Sequence, residues 1–361
     1  MIKVLIEGMT ENKGGKETYI LNVCKHLDKL RYDITFVSYN NKIAYEEIIK
    51  ENGFQIIYVP PRHSGLLNHR RALDKLFQYH QFDVLWAHKT TLSACEIFDS
   101  AKRYNVPVRI IHSHSSANMG GKLTLLMHYV NRKHIFQIAN EYLACSKNAA
   151  RWFYGKHSAQ IMVNAFELDR FKFNANVRKK IREKFKIQDY FIIGHIGRFG
   201  EEKNHHKLLN VFLSYKNKNP KCKLILCGDG EKRPEIEQQI HALELDNDVI
   251  LMGMIDNVNE ILQAMDILVM PSLFEGLPFA LLEAQTAGLK CIVSDTVSRE
   301  ADITGWNQFL PLDLSDQLWA EAIQKEDIAY NRLDGYDIMC KAGFDIVKNM
   351  NTIETIIKSR L

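Results

Sequence analysis

The chain has 361 residues, of which 46% are hydrophobic and 25% charged, so it is long enough to bury the cores of two ordinary globular domains. It shows neither a signal peptide nor a run of about 18 apolar residues, and we therefore expect a cytoplasmic protein that is neither exported nor membrane-spanning. The net charge of +4 combines +8 over residues 1–170 with −4 over residues 171–361. The positive charge of the first half either attracts an anionic surface or substrate or is simply an excess of solvated basic side chains. No nucleic acid partner is expected. Seven scattered cysteines without a C-x-x-C pair predict reduced thiols.

Short runs rich in Val, Ile, Leu and aromatic residues alternate with longer segments of helical periodicity along the whole chain. The runs predict twelve strands, at residues 2–8, 33–39, 54–60, 83–88, 108–114, 141–146, 159–165, 191–198, 223–230, 248–254, 266–272 and 290–295. Helices are predicted between them, for example over Thr18–Lys29, His205–Tyr215 and Pro234–Leu243. Since nearly continuous apolar strands with helical crossovers are typical of parallel sheets covered on both faces, the fold class is predicted to be α/β.

The predicted strands are too many for one compact sheet, so we predict two doubly wound, Rossmann-like domains. The charged stretch 167–189 is poor in strand patterns and is the best place for the boundary between them. The resulting division is 1–170 and 171–340, followed by a terminal segment over 341–361.

Ligands bind beyond the carboxyl ends of strands in open parallel sheets, so the turns after the predicted strands are candidate sites. Gly14 and Gly15 follow the first strand and precede a helix, where free backbone N–H groups suit an anion. Arg198 and Lys203 follow the strand at 191–198, just before a helix N-terminus, and together suit a pyrophosphate. A third turn contains Gly228. Each turn alone could equally be ordinary loop chemistry or a solvated basic turn.

A fourth turn carries two carboxylates in the sequence SLFEGLPFALLEAQTAG. Pro278 fits the first turn of a helix, which places Glu275 in the preceding loop and Glu283 about one and a half turns inside the helix. The alternative is that Glu275 is only a capping residue. Backbone amides at the helix start would be free to bind hydroxyl or phosphate groups, and they belong to Gly276, Leu277 and Phe279.

Taken together, Gly14-Gly15, GRFGEEKNH, LCGDGE and FEGLPFALLEA resemble the family-4 retaining glycosyltransferases of the GT-B fold, over nearly the whole chain. EEKNHH and VRIIHSHS are further similar to the subgroup that builds bacterial capsular polysaccharides and exopolysaccharides. The resemblance implies two Rossmann-like domains facing each other across a cleft, the first (1–170) binding the acceptor and the second (171–340) the nucleotide sugar. It also implies a C-terminal helix over 341–361 that crosses back to the first domain. It also implies transfer of a hexose or N-acetylhexosamine from a nucleotide diphosphate sugar, a UDP-sugar, to a saccharide acceptor.

The resemblance implies roles for the motif residues. Arg198 and Lys203 would bind the diphosphate, Glu283 the ribose, and Glu275 a hydroxyl of the transferred sugar. The donor pocket would also be lined by Gly15, Gly228, Gly253, Met254, Gly276, Leu277, Pro278 and Phe279. Gly14 and Gly15 would lie on the acceptor side with His114.

The resemblance implies a histidine at the end of the strand at 108–114, close to the donor sugar. His112 and His114 are two residues apart, so both point to the same face of the strand. Either could fill this catalytic role, and the other would then be a structural histidine.

No metal and no cofactor are expected. Asp246 and Asp248 match the Asp-x-Asp pattern of manganese-dependent transferases, but they lie before a predicted strand, at the wrong end of a parallel sheet for ligand binding. Turn chemistry explains them better.

The subgroup's acceptors imply a polyprenyl-diphosphate-linked saccharide at the inner face of the plasma membrane, with peripheral contact to anionic lipid. Residues 68–80 and 122–139 are basic and could make that contact, although the stripe of Leu123, Leu126, Met127 and Val130 could instead face the core. A sugar-nucleotide epimerase of the same fold and a non-catalytic partner of a true transferase are the alternative functions.

Overall fold

The structure is a computed structural model that describes residues 1–12, 14–118, 120–275, 278–325 and 331–361. The chain divides into two compact units. Unit 1 comprises Met1–Phe166 together with Gly343–Leu361, and unit 2 comprises Glu167–Ala342.

The described part of unit 1 forms a seven-stranded parallel sheet. Its strands are β1 (Ile2–Glu7), β2 (Tyr32–Ser38), β3 (Gln55–Tyr58), β4 (Val84–Lys89), β5 (Val108–Ser113), β6 (Glu141–Ala144) and β7 (Gln160–Ile161). The strand order is β3-β2-β1-β4-β5-β6-β7. Its helices are α1 (Gly15–His26), α2 (Glu46–Glu51), α3 (Leu66–Tyr79), α4 (Glu96–Arg103), α5 (Lys122–Ile138) and α6 (Lys147–Tyr154). Leu5, Leu85 and Ile111 on the central strands are fully buried in a core that also contains Phe98 and Phe153.

The described part of unit 2 forms a six-stranded parallel sheet. Its strands are β8 (Phe191–Ile196), β9 (Cys222–Cys227), β10 (Val249–Gly253), β11 (Ile267–Met270), β12 (Lys290–Ser294) and β13 (Asn307–Leu310), in the order β10-β9-β8-β11-β12-β13. Its helices are α7 (Ala175–Lys184), α8 (His205–Lys218), α9 (Arg233–Ala242), α10 (Val258–Ala264), α11 (Phe279–Thr286), α12 (Asp316–Lys325) and α13 (Leu333–Lys341). Phe212, Leu224 and Trp319 belong to its buried core.

All twelve predicted strands are present, and the predicted α/β class with two doubly wound parallel sheets is confirmed. The prediction missed β13, whose sequence NQFL is short and polar and lies at the edge of the sheet. A four-residue edge strand needs no continuous apolar run because it is covered on fewer sides.

The chain leaves unit 1 at Phe166, four residues before the boundary expected at 170. The turn Leu168–Arg170 contacts α13, and the carbonyl of Arg170 accepts a hydrogen bond from Asn259 Nδ2 at 3.2 Å, so this turn belongs to unit 2. The chain returns to unit 1 at Gly343, and its last helix, α14 (Ile346–Lys358), contacts α1 and buries Ile353.

All seven cysteines are free thiols. Over the described residues, each helix is too short or too polar to cross a membrane.

Candidate functional site

The carboxyl ends of β8, β9 and β11 lie side by side at one edge of the sheet in unit 2, because these strands are adjacent and parallel. Arg198 and Lys203 follow β8, Gly228 follows β9, and Glu275 follows β11. Open parallel sheets bind ligands at this edge, so these loops form the candidate site of unit 2.

Lys203 and Glu275 form a nearly buried ion pair at that edge. Nζ of Lys203 lies 2.5 Å from Oε1 of Glu275, and the two side chains are 12% and 10% exposed. Ser272 Oγ donates a second hydrogen bond to the same oxygen at 2.8 Å. The N–H of Leu273 donates to the carbonyl of Glu202 at 2.8 Å and ties the two loops together. Since desolvating two charges is unfavourable, a pair held at this position indicates a functional site more than a stabilising device.

Two glycines bring the loops after β8 and β9 into backbone contact. Gly228 has φ +146°, and a Cβ there would lie 1.9 Å from the carbonyl oxygen of Gly197. A Cβ at Gly197 would lie 2.9 Å from the side chain of Lys203. The backbone contact therefore requires glycine at 228, whereas a side chain at 197 would displace the Lys203 side chain from this position. A contact of Gly228 with a ligand stays a prediction.

Arg198 is not hydrogen-bonded to the Lys203–Glu275 pair but to a different carboxylate. Its side chain is 68% exposed, and Nη2 donates to Oε2 of Glu231 at 2.8 Å. An ion pair this exposed to solvent contributes little to stability, so Arg198 can exchange Glu231 for an anionic ligand at little cost in free energy.

The second carboxylate of the fourth turn lies within α11, as expected. Pro278 is the N-cap of this helix, and Glu283 is in its second turn, partly buried. Burial raises the pKa of Glu283 to about 7, and the positive charge of Arg170 opposes this rise. The carboxyl group therefore changes its charge near neutral pH, and an ionised Glu283 can accept hydrogen bonds from hydroxyl groups.

The structure gives the positions of three of the remaining predicted donor residues, and their contacts with a ligand stay predictions. Gly253 ends β10 with φ +65°, and Met254 next to it is largely exposed. Gly276 and Leu277 lie outside the described residues. Phe279 is the first residue of α11, and its contact with a ligand stays a prediction.

An open cavity of about 500 Å³ in unit 2 lies between α8 and α9 and is lined by neither Lys203 nor Glu275. We place the candidate site at the ion pair, because buried paired charges are better evidence of function than open volume.

Three histidines gather at the ends of β4 and β5 in unit 1. His88 and His112 are neighbours in the strand register, and the rings of His112 and His114 are 4.3 Å apart. His114 Nδ1 lies 3.1 Å from Oδ1 of Asn164, and His114 Nε2 lies 2.9 Å from Nδ1 of His88. With the Asn164 oxygen as acceptor, His114 is protonated on Nδ1 and accepts the Nδ1–H of His88 through Nε2.

The sequence left open which histidine faces a ligand. His112 is fully buried and its Nε2 lies 3.2 Å from the carbonyl oxygen of Met162, whereas His114 is partly exposed. Burial lowers the pKa of His112 to about 3 and holds the pKa values of His88 and His114 well below the ordinary histidine value. All three rings are therefore neutral at neutral pH, and His114 is the one that a ligand can reach.

The three imidazoles also bring one nitrogen each within 4.8 Å of one another, a spacing that a metal ion could use. Both ring nitrogens of His114 already have hydrogen-bond partners. We interpret the group as a hydrogen-bonded network.

The glycine loop after β1 leads directly into α1. Gly14 is the N-cap of α1, and Gly15 is its first residue. The loop folds around Glu17, whose Oε1 accepts a hydrogen bond from Thr10 Oγ1 at 2.9 Å and lies 3.2 Å from Lys16 Nζ.

Asp248 directly precedes β10, at the amino end expected from the sequence, and its carboxylate lies 2.5 Å from Lys216 and 3.7 Å from Lys223. Asp246 lies 3.3 Å from a ring nitrogen of His241. Both carboxylates thus contact basic side chains.

Comparisons with known proteins agree with this layout. Residues 13–182 match the model of glycosyltransferase family 4, and residues 177–325 match that of glycosyl transferases group 1. The glycosyltransferase EpsF of Bacillus subtilis (strain 168) is 31% identical over 367 residues, covering 97% of this chain and 94% of EpsF. The chain belongs to the family-4 glycosyltransferases.

This family-4 glycosyltransferase is also similar to a solved structure and to a second curated enzyme. The crystal structure of HepE from Anabaena in complex with UDP has a TM-score of 0.79 at 18% identity and covers 99% of this chain and all of HepE, which supports the GT-B fold. An Escherichia coli enzyme is 30% identical over 140 residues, covering 37% of this chain and 36% of that enzyme; its name is UDP-Gal:alpha-D-GlcNAc-diphosphoundecaprenol alpha-1,3-galactosyltransferase. The predicted family and its polysaccharide-synthesis subgroup are confirmed.

The structure brings together some predicted residues of the glycosyltransferase and adds others. Lys203 and Glu275 are in contact, whereas Arg198 contacts Glu231. The sequence prediction overlooked Ser272 and His88. His88 could have been found, since it ends its predicted strand as His114 does; the partnership of Ser272 with Glu275 has no comparable signal.

Proposed function

We propose that this glycosyltransferase moves a hexose or N-acetylhexosamine from a UDP-sugar to a saccharide acceptor, with retention of anomeric configuration and without a metal ion. The observation that carries the proposal is the nearly buried Lys203–Glu275 ion pair at the carboxyl ends of the strands in unit 2. A diphosphate competes with Glu275 for the Lys203 ammonium, which leaves the carboxylate able to accept a hydrogen bond from the donor sugar.

Charge development explains how these residues act. Breaking the anomeric C–O bond places negative charge on the departing diphosphate, and Lys203 and Arg198 stabilise it there. The acceptor hydroxyl oxygen forms the new bond to the anomeric carbon on the face that the diphosphate leaves, and a phosphate oxygen of the leaving group takes its proton. In this route no protein carboxylate attacks the sugar. Glu283 accepts hydrogen bonds from the ribose hydroxyls, and these bonds are stronger when its carboxyl group is ionised.

Two observations support a lipid-linked acceptor and peripheral membrane contact. The name of the Escherichia coli relative specifies a diphosphoundecaprenol-linked sugar. On α5, the apolar stripe does not face the core: Leu123 is 72% exposed, Leu126 59% and Val130 60%, whereas Met127 is half-buried. The helix contains no Asp or Glu and begins with an exposed Lys122, so its charge complements anionic lipid.

Incubation with a panel of nucleotide sugars, first alone and then with a polyprenyl-diphosphate-linked saccharide, tests the proposal. Transfer to the lipid-linked saccharide, unchanged in EDTA, is expected. Isomerised donor without transfer would indicate the epimerase, and donor binding without turnover would indicate the non-catalytic partner. An activity lost in EDTA and restored by Mn²⁺ would refute metal independence. The Escherichia coli relative is named as a galactosyltransferase, which favours transfer over both alternatives.

A further inference from the structure

Residues 271–273, directly after β11, are tied to the loop between β8 and α8. Asn204 Nδ2 donates a hydrogen bond to the carbonyl oxygen of Pro271 at 3.1 Å. The N–H of Leu273 donates to the carbonyl oxygen of Glu202 at 2.8 Å. The backbone on both sides of the middle residue is therefore fixed to a neighbouring loop.

That middle residue, Ser272, is fully buried and is also held by the loop after β12. Ser294 Oγ and Thr296 Oγ1 lie 2.6 and 2.7 Å from the Ser272 carbonyl oxygen, and 2.7 Å from each other. The carbonyl therefore accepts a hydrogen bond from at least one of these hydroxyl groups. This contact arises because β11 and β12 are adjacent and parallel, so their carboxyl ends meet. The position of the Ser272 side chain is thus set from two neighbouring loops.

The Ser272 hydroxyl and the Lys203 ammonium both donate to Oε1 of Glu275, over 2.8 and 2.5 Å. They are the two donors to this carboxylate in the described part of the chain. The ammonium is a charged donor on a long side chain, so a diphosphate competes for it. The hydroxyl is uncharged and belongs to a short, fully buried side chain, so a diphosphate does not compete for it.

This difference matters when an anion binds to Lys203. Glu275 then loses its cation, and its side chain is only 10% exposed, so little water can replace the lost donor. A nearly buried carboxylate without a donor is unfavourable, and that cost weakens the binding of the anion. A second donor that stays in place reduces the cost.

We propose that Ser272 is a positioning residue, which keeps Glu275 hydrogen-bonded when the diphosphate of the donor takes Lys203 from it. The inference rests on the proposed function for this exchange of Lys203 between Glu275 and a diphosphate. Ser272 does not itself contact the donor. It makes the exchange less unfavourable, and it holds the carboxylate where a hydroxyl of the donor sugar can reach it.

UDP binding to the full chain, measured by isothermal titration calorimetry, tests this in a double-mutant cycle. Ser272→Ala should raise the Kd for UDP roughly tenfold, because the carboxylate loses its remaining donor when UDP binds. Glu275→Gln should bind UDP at least as tightly as the native chain, because no carboxylate then competes for Lys203. Adding Ser272→Ala to Glu275→Gln should change the Kd by less than about twofold. A residue that only supports the fold would weaken UDP binding equally in both backgrounds.

Ser100→Ala in unit 1 is the matched control. Ser100 is also buried, and its Oγ donates to Oδ1 of Asp74 at 2.8 Å. That carboxylate is likewise paired with a cation, since Arg103 lies 2.6 Å from its other oxygen. The variant removes the same chemical group from an equivalent arrangement on α4, and it should leave the Kd for UDP unchanged.

The proposal is overturned if Ser272→Ala binds UDP as the native chain does, if it weakens binding equally with and without Glu275→Gln, or if Ser100→Ala weakens binding as much. Should Ser272→Ala fail to fold, Ser272→Cys takes its place in the cycle, because a thiol is only a weak donor. Absence of UDP binding in the native chain would instead refute the proposed donor site, and this inference with it. Native binding with additive losses would refute the role of Ser272 alone.

Discussion

Replacing Lys203 by alanine would leave the Glu275 carboxylate nearly buried and without its cation, while the Ser272 hydroxyl would still donate a hydrogen bond to it. Breaking a buried ion pair from one side costs about 3–5 kcal/mol, and we expect about 3 kcal/mol because a tenth of each side chain is exposed. That cost should lower the melting temperature of unit 2 by about 6–12 °C while leaving it folded. Transfer should be lost.

The double variant Lys203→Met with Glu275→Gln separates stability from function. It removes both charges, so its stability should return to within about 1 kcal/mol of the native chain while transfer stays absent. Thermal unfolding followed by circular dichroism measures the first effect, and release of UDP from a UDP-sugar in the presence of acceptor measures the second.

A second, half-buried ion pair in unit 2 provides the control. Lys216 lies 2.5 Å from Asp248, with side chains 26% and 15% exposed, away from the strand ends that carry the site. Lys216→Ala should lower stability by less than Lys203→Ala, because Lys223 stays 3.7 Å from Asp248, and it should keep transfer. Native transfer rates in the double variant, or equal losses of transfer in Lys203→Ala and Lys216→Ala, would refute the assignment of the donor site.

Three further predictions concern pH, packing and lipid. Because folding raises the pKa of Glu283 to about 7, its contribution to stability is fully present below about pH 4.5 and is lost as the pH rises through 7. Glu283→Gln should therefore make the free energy of unfolding less dependent on pH over this range. Donor affinity should rise from pH 6 to pH 8 in the native chain and should not do so in the Glu283→Gln variant. Gly228→Ala places a Cβ 1.9 Å from a carbonyl oxygen and should prevent folding or soluble expression. Gly253→Ala, at φ +65° with Arg233 Nη1 3.8 Å from the added Cβ, meets only ordinary van der Waals contact and should cost about 1–2 kcal/mol in denaturant unfolding. Leu126→Glu with Val130→Glu on the exposed stripe of α5 should reduce sedimentation with anionic vesicles at unchanged thermal stability; equal sedimentation would exclude α5 as the lipid contact.

The strands were predictable because their signal is local. Each central strand, such as β4 with Leu85 and Trp86, is buried on both faces and so must be apolar almost throughout. The N-cap Asn204 and the helix that follows it were predictable for the same reason, since the Asn204 side chain accepts the N–H of Lys207 within one turn. The strand β13 was missed because an edge strand carries little of this signal.

Part of the candidate site could also be predicted from local sequence. Lys203 and Glu275 each follow a predicted strand, and parallel strands bring their carboxyl ends to one edge. Their direct contact was not predictable, since it joins loops separated by 72 positions in the chain. Nor was the partner of Arg198, because an exposed guanidinium takes whichever carboxylate the turn presents.

The sequence by itself therefore determined the two parallel sheets, their strand-end loops and the residue types gathered there, because apolar periodicity and turn chemistry act over a few residues. Only the tertiary structure decided which of those residues meet. It joined His88 to His114, left the stripe of α5 exposed, and placed the hydroxyl groups of Ser294 and Thr296 beside the carbonyl of Ser272. Such contacts depend on how whole strands and helices pack. The local sequence around one residue does not show which distant residue it will contact.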